Sequence, residues 1–319
     1  MDERLIRAHF NELSVPEKAE MMKALAKRYQ MNFKEIGRFS RWGRSISTGI
    51  FEKDGAEFVF VPGDTVTLGW AGFSEGLTAD SAEELREVYE EFEFEGTYEE
   101  FLGSFMTPVR DVTIPPMLVE REPQEPCWED LTLDDPRLKA HPEWLKQLED
   151  AIRNYPPFNG YCSGPIRFTK LKNGYRAEFH NDITYSQLLE NLAREGYSLP
   201  TADEWAYLCG SGCRTLFPWG DGIRDSMHLR HFDDSDDDAP YDLEQPNFFG
   251  IKIAFDPYKS ELIHADSPMS MGGDGGGNIC GGLGLLLGYL PCSPHYKPQK
   301  VEEPLDGDWY SFRRIIRIE

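Results

Sequence analysis

Thr201-Ala-Asp-Glu204 stands directly ahead of Trp205, Tyr207 and Leu208, and no other stretch of the chain restricts the fold as tightly. A threonine hydroxyl and a glutamate carboxylate three positions apart satisfy each other's orphan amides, so the segment predicts a helix start at residue 201. The helix has few turns, yet it carries two large aromatic rings that must be buried. Past residue 209 helix signals become scarce: glycine, proline, aspartate and aromatic residues dominate, with a dense glycine run at 272–288. Short strands and irregular chain therefore have to enclose the helix, which predicts a mixed α+β body with few helices and much irregular structure. A length of 319 residues suits one large domain with insertions, or two modest ones.

Ahead of that helix the signals are clearer. Residues 2–31 read as helices, with a capping box at Ser14-Val-Pro-Glu17 and a stripe of Met21, Met22, Leu25 and Tyr29 that packs against the main body. At residue 45 the pattern changes. Ser45–Phe51 and Glu57–Val61 flank Lys53-Asp54-Gly55, a hairpin signal, and Thr65–Trp70 is a third strand. Asp80 or Ser81 caps a helix to Phe92, and Thr97 with Glu100 forms a box ahead of Phe101 and Leu102. Val109–Val119 is apolar and β-branched, with Pro115-Pro116 confining it to an edge or a bend. Residues 120–165 are rich in proline and charge, with one helix at Pro142–Arg153. A second hairpin spans Arg167–Phe179 around Lys172-Asn173-Gly174, an amphipathic helix runs over Thr184–Glu195, and Phe312–Ile318 is a closing strand. The division is an N-terminal helical extension over 1–44 and a main domain over 45–319, with an insertion at about 80–105.

The net charge of −23 is uneven: residues 1–49 hold ten Lys/Arg against six Asp/Glu, a net of +4. So acidic a main body repels phosphate backbones, which argues against nucleic acid as a partner. Lys34, Arg38, Arg41 and Arg44 read as a solvated face. No run of 18 apolar residues offers a membrane span, and the N-terminal MDERLIRAHF lacks the basic and apolar regions of a signal peptide, so the expected location is cytoplasmic. In that reducing compartment the six cysteines, at 127, 162, 209, 213, 280 and 292, read as free thiols.

Several segments, in order, resemble the formylglycine-generating-enzyme (sulfatase-modifying-factor) family. The stretch Glu57-Phe-Val-Phe-Val-Pro-Gly-Asp-Thr-Val-Thr-Leu-Gly-Trp70 is similar to that family's opening strand pair, and Met106–Gln124 to its next strand. Ile183–Leu208 resembles its helix, loop and Leu-Pro-Thr-x-x-Glu-Trp signature, here Leu199, Pro200, Thr201, Glu204 and Trp205. Phe217-Pro-Trp-Gly-Asp221, Pro246-Asn-Phe-Phe-Gly-Ile251, and Ser311-Phe-Arg313 with Arg317 follow in the family's order. The resemblance covers roughly 45–319 with gaps and implies a C-type-lectin-like fold. Arg313, next to an apolar Phe312, reads as pairing with a carboxylate such as Glu204 or Asp221. Similar folds serve as the variable binding proteins of diversity-generating retroelements.

The chain departs from the family where chemistry is concerned. The family's oxidase needs two closely spaced cysteines near the C-terminus to hold copper, because two soft thiolates must reach one metal. Here the late cysteines are Cys280 and Cys292, twelve positions apart. The related iron-dependent sulfoxide synthases draw histidines from a helical bundle, whereas residues 1–45 hold only His9. The segment after Gly250 lacks the residues associated with the family's calcium site.

Four groupings could carry function. Cys209-x3-Cys213 with His228-x2-His231 is a zinc-like set, weighed against buried thiols and surface histidines. The run 233–238 is either a calcium loop or a solvated acidic loop. Met271–Tyr296 is either a backbone-lined ligand pocket bordered by Asp274, Asn278, Tyr289, His295 and Tyr296, or a packed core of glycine turns. Cys280, Cys292, His264 and His295 are the best ligands for a rearranged metal site. The leading reading is a non-catalytic intracellular binding protein for a protein or small-molecule ligand, with the N-terminal helices as a docking or oligomer element. A metal-dependent oxidase or oxygenase relative and a structural subunit of a larger assembly are the rivals.

Overall fold

The computed structural model describes residues 2–132, 134–154, 160–171, 174–224, 226–230 and 239–319. Helix α1 (Arg7–Glu12) leads into α2 (Val15–Tyr29), whose start is the expected box: Ser14 Oγ accepts from the Glu17 amide and Glu17 Oε2 accepts from the Ser14 amide. Met22, Leu25 and Ala26 of α2 are buried in the main core, so the helices pack onto the body. Helix gives way to strand at Asn32, not at residue 45: β1 (Asn32–Arg41) pairs antiparallel with β2 (Arg44–Lys53) along its whole length. The turn between them is Trp42-Gly43, with both φ positive (49° and 72°). A tryptophan in that conformation carries no turn signal. The Asp54-Gly55 turn between β2 and β3 (Ala56–Val61) has the same primed geometry, and its sequence does advertise it.

Next come β4 (Asp64–Leu68), α3 (Ala79–Glu91), α4 (Tyr98–Gly103), β5 (Arg110–Ile114) and β6 (Met117–Glu120). The cap of α3 is Thr78 rather than Asp80 or Ser81, while Thr97 and Glu100 box α4 as expected. The apolar stretch 109–119 is split by Pro115-Pro116: β5 pairs with β4 in a two-stranded ribbon, and β6 joins a five-stranded sheet of order β1-β2-β3-β6-β15. Two prolines in succession remove the amides that would continue one ladder, and the chain changes sheet there.

Residues 128–180 form a unit with a small core of their own: β7 (Trp128–Leu131), α5 (Pro136–Ala140), α6 (Pro142–Asn154), β8 (Gly160–Ser163), β9 (Ile166–Leu171) and β10 (Gly174–His180). The sheet order is β7-β10-β9-β8, and Leu131, Leu138, Ile166 and Phe168 pack beneath Trp144 and Phe179. What reads as proline-rich, charged chain is thus a folded insertion that also takes in the second hairpin. The tip of that hairpin, Lys172 and Asn173, lies outside the described residues.

Helix α7 (Tyr185–Arg194) and the tryptophan helix α8 (Ala202–Gly210) follow, then β11 (Ser260–Ile263), β12 (Met269–Met271), α9 (Gly276–Cys280), α10 (Gly284–Tyr289), β13 (Gln299–Lys300), β14 (Tyr310–Ser311) and β15 (Ile315–Arg317). The class is mixed α+β, built from several small, mostly antiparallel sheets. The ten α-helices among the described residues exceed the few expected, because pieces of five or six residues such as α5, α9 and α10 are too short to leave a periodic signal. The closing strand is also shorter than 312–318. Residues 312–314 run between sheets, with Phe312 bridging to Gln124.

Arg313 lies in that crossing and is fully buried. Its Nε and Nη2 donate to Glu261 Oε1 and Oε2 at 2.9 and 3.1 Å, Nη1 to the carbonyls of Glu120 and Arg121 at 2.6 and 3.1 Å, and Nη2 to the carbonyl of Lys252 at 2.6 Å. All five guanidinium N–H groups are used. Neither expected carboxylate is the partner. Glu204 receives Arg317 of β15 at 2.6 and 2.5 Å while still capping α8 through the Thr201 amide. Asp221 accepts from the amides of Ser74, Glu75, Gly76 and Leu216. Glu261→Gln should destabilise the fold by about 3–5 kcal/mol, because a buried guanidinium loses its counter-charge, and urea unfolding measures it. The double variant Glu261→Leu/Arg313→Met should recover more than half of that loss.

Candidate ligand cleft

The four-stranded sheet of order β13-β12-β11-β14 has strands of only two to four residues. Ladders that short cannot hold a surface alone. Side-chain ties supplement them: Gln299 Nε2 donates to the Gly273 carbonyl at 2.5 Å, and the Glu302 amide donates to the Tyr310 hydroxyl at 3.1 Å. Arg313 anchors the sheet from behind through Glu261 of β11.

A cleft of about 640 Å³ opens on this sheet. The strands contribute Ser260, Ser270, Gln299, Lys300 and Tyr310, and the chain between β13 and β14 contributes Glu302, Glu303, Pro304, Leu305, Asp306 and Trp309. Tyr258, Asp274, His180 and Asp182 complete the lining. Five carboxylates thus face one ammonium, that of Lys300, with Trp309 half exposed. Glu303 is partly committed, accepting from the Tyr185 amide at 2.6 Å. The volume falls in the range of small-ligand sites. An acidic lining interleaved with aromatic faces favours amines and guanidinium groups, by charge and by cation–π contact.

Of the five residues expected to border a pocket, only Asp274 lines this cleft. Asn278 spans the two short helices, donating to the Leu287 carbonyl at 3.0 Å. Tyr289 is buried, and burial pushes its hydroxyl far above the usual tyrosine range. Tyr296 is partly buried and stacks on Phe105 with ring centroids 6.2 Å apart. His295 is buried: one ring nitrogen, Nε2, lies 3.0 Å from the Thr215 carbonyl and donates to it, and Nδ1 has no hydrogen-bond partner among the described residues. Part of the glycine run is tightly packed. A β-carbon at Gly275 would sit 1.9 Å from the Gly288 carbonyl oxygen, and one at Gly276 would meet the Tyr258 ring at 1.9 Å. At Gly275 and Gly276 the backbone meets protein atoms, whereas a β-carbon at Gly277 or Gly282 would meet nothing within 4 Å.

The candidate metal ligands are dispersed. Cys209 and Cys213 are buried, whereas His228 contacts the Pro240 carbonyl and the Tyr241 ring. His231 and the acidic run 233–238 lie outside the described residues. Cys280 is exposed with Sγ 3.6 Å from the Tyr258 hydroxyl, Cys292 is buried and donates to the Gly272 carbonyl at 2.7 Å, and His264 is exposed. Among the described residues no three His, Cys, Asp or Glu side chains are placed to hold one metal ion. Burial pushes the Cys213 thiol up to about 11 and holds those of Cys209 and Cys292 well above the usual thiol range. Cys280 lies at the surface and Cys292 is buried against the Gly272 carbonyl, so the two late thiols do not share one environment.

The residues that sequence reasoning missed are those at 299–310. Their signal was Asp306-Gly-Asp-Trp-Tyr310, an acidic and aromatic cluster directly ahead of the Ser-Phe-Arg element. Comparison with known proteins finds no family model and no curated protein that matches this chain.

His295 gives a pH signature. Burial holds its imidazole down at about 4, so the folded chain refuses a proton that the unfolded chain takes up near pH 6.5. The stability from the neutral ring is fully present above about pH 6.5 and is lost as pH falls toward 4, by up to about 3 kcal/mol. Urea unfolding of wild type and His295→Gln at pH 7 and pH 4.5 isolates this term: the variant should show a shallower decline.

Proposed function

We propose that this chain is a binding module on a C-type-lectin-like scaffold of the formylglycine-generating-enzyme kind, with a cationic ligand held in the cleft between β13 and β14. The scaffold assignment is supported by the order of the resembling segments and by the Glu204–Arg317 ion pair that joins the tryptophan helix to the closing strand. Binding rather than oxidase chemistry is favoured by the separation of Cys280, exposed, from Cys292, buried and hydrogen-bonded.

The observation that carries the ligand class is the composition of the cleft: Asp182, Asp274, Glu302, Glu303 and Asp306 beside Tyr258, Trp309 and Tyr310. An ammonium or guanidinium entering there exchanges water for several carboxylates and at least one ring face. Each exposed contact is worth little alone, and the enclosure makes them act together.

Isothermal titration with spermidine tests the reading. Wild type should bind with a Kd of about 100 µM or tighter, ~5.5 kcal/mol. Affinity should fall about tenfold in Asp306→Asn/Glu302→Gln and as salt rises toward 0.5 M. Absence of heat at millimolar spermidine, equal binding of succinate, or unchanged affinity in the double variant would each overturn the assignment.

A further inference from the structure

The hairpin of α3 and α4 carries a second surface, none of whose residues lines the cleft. Residues 79–105 hold ten Asp/Glu against the single basic Arg86. Arg86 is occupied by Glu83 and Glu90 at 3.2 and 3.0 Å. Among the described residues, no cation lies within ion-pair distance of Glu91, Glu93, Glu95 or Glu99.

Between these acids sit aromatic rings that the hairpin does not bury. Phe92 is 50 % and Phe94 43 % exposed. Their rings stack at 5.9 Å, and Phe94 contacts Phe101 at 5.0 Å. The closure of the hairpin is done by Tyr89: its ring meets Tyr98 at 4.8 Å and Phe101 at 5.7 Å, and its hydroxyl donates to the Thr97 carbonyl at 2.9 Å. Phe94 also packs edge-on against Tyr89 at 5.7 Å, so one side of its ring helps close the hairpin while the rest of it, with Phe92 stacked on it, adds exposed apolar area at the tip. Adjacent exposed aromatics rimmed by one sign of charge are the features of an interaction surface.

We propose that this tip docks a basic amphipathic segment of a partner protein, with apolar side chains on Phe92 and Phe94 and lysines or arginines on Glu91, Glu93 and Glu95. Charge complementarity selects that occupant. An acidic partner or an anionic lipid surface is repelled by the rim, and a neutral apolar segment leaves the carboxylates uncompensated. The acidic rim speeds encounter and makes association salt-dependent, while the rings set the off-rate.

The test is fluorescence anisotropy on the full chain with a labelled amphipathic peptide of leucine and lysine, about 15 residues long, and a serine–lysine peptide of equal length and charge as control. Wild type should bind the leucine–lysine probe at least about tenfold more tightly than the control, and Phe92→Ser/Phe94→Ser should erase that preference. Glu91→Gln/Glu93→Gln/Glu95→Gln should weaken binding about tenfold and flatten its salt dependence. The cleft variant Asp306→Asn/Glu302→Gln should bind the probe as wild type does, which separates this surface from the cleft. If Phe92→Ser/Phe94→Ser unfolds, Phe92→Ser alone, at a half-exposed position, reads the same preference. Equal binding of the two peptides, or a preference that survives loss of the phenylalanines, overturns the proposal. So does a wild-type dimer in light scattering that the phenylalanine variant splits, since the occupant would then be a second copy of this chain.

Discussion

A single buried guanidinium organises this molecule. Arg313 sits in the chain that crosses from the β14 sheet to the β15 sheet, and its five N–H groups reach β11, the end of β6 with the residue after it, and the loop at Lys252. Carbonyls at sheet ends and in loops are the groups most short of amide partners. Arg313 donates to three such carbonyls together, that of Arg121 also accepting from the Lys252 amide at 2.9 Å, and Glu261 neutralises its charge in a dry site. Such a pair is favourable only when every donor has an acceptor, and here that condition is met.

Two neighbouring arginines extend the scheme. Arg314 donates to both oxygens of buried Glu120 while lying over the rings of Phe58 and Tyr197. Arg317 holds Glu204 at the start of α8. Three of the last seven residues thus fasten the closing segment to β6, to β11 and to the tryptophan helix. The cleft stands on the sheet that Arg313 anchors, so a surface made of very short strands is held still enough to present carboxylates and rings in fixed positions.

Local rules were legible in the sequence where one residue type sets a backbone conformation. The boxes at Ser14, Thr97 and Thr201 and the Asp54-Gly55 turn are all present. Strand β1 was missed because its turn is Trp42-Gly43 and because a bulge between Phe33 and Glu35 breaks its alternation. The carboxylate partner of Arg313 was missed because 56 acids offer many pairings and only the tertiary structure chooses among them. The proposed cleft lies outside the glycine run for a related reason. Glycine permits close approach without specifying what approaches, and at Gly275 and Gly276 the approaching group is the protein's own chain. The acidic, aromatic stretch 302–310 carries the polar groups that a ligand can use.

Hydrogen–deuterium exchange with and without spermidine tests the central claim, that ligand engages the arginine-anchored sheet and not the glycine run. Slower exchange confined to residues 299–310 and the neighbouring strands β11 and β12, with 276–289 unchanged, is the outcome this account requires. Protection centred on 276–289, or none in 299–310 at saturating spermidine, would contradict it.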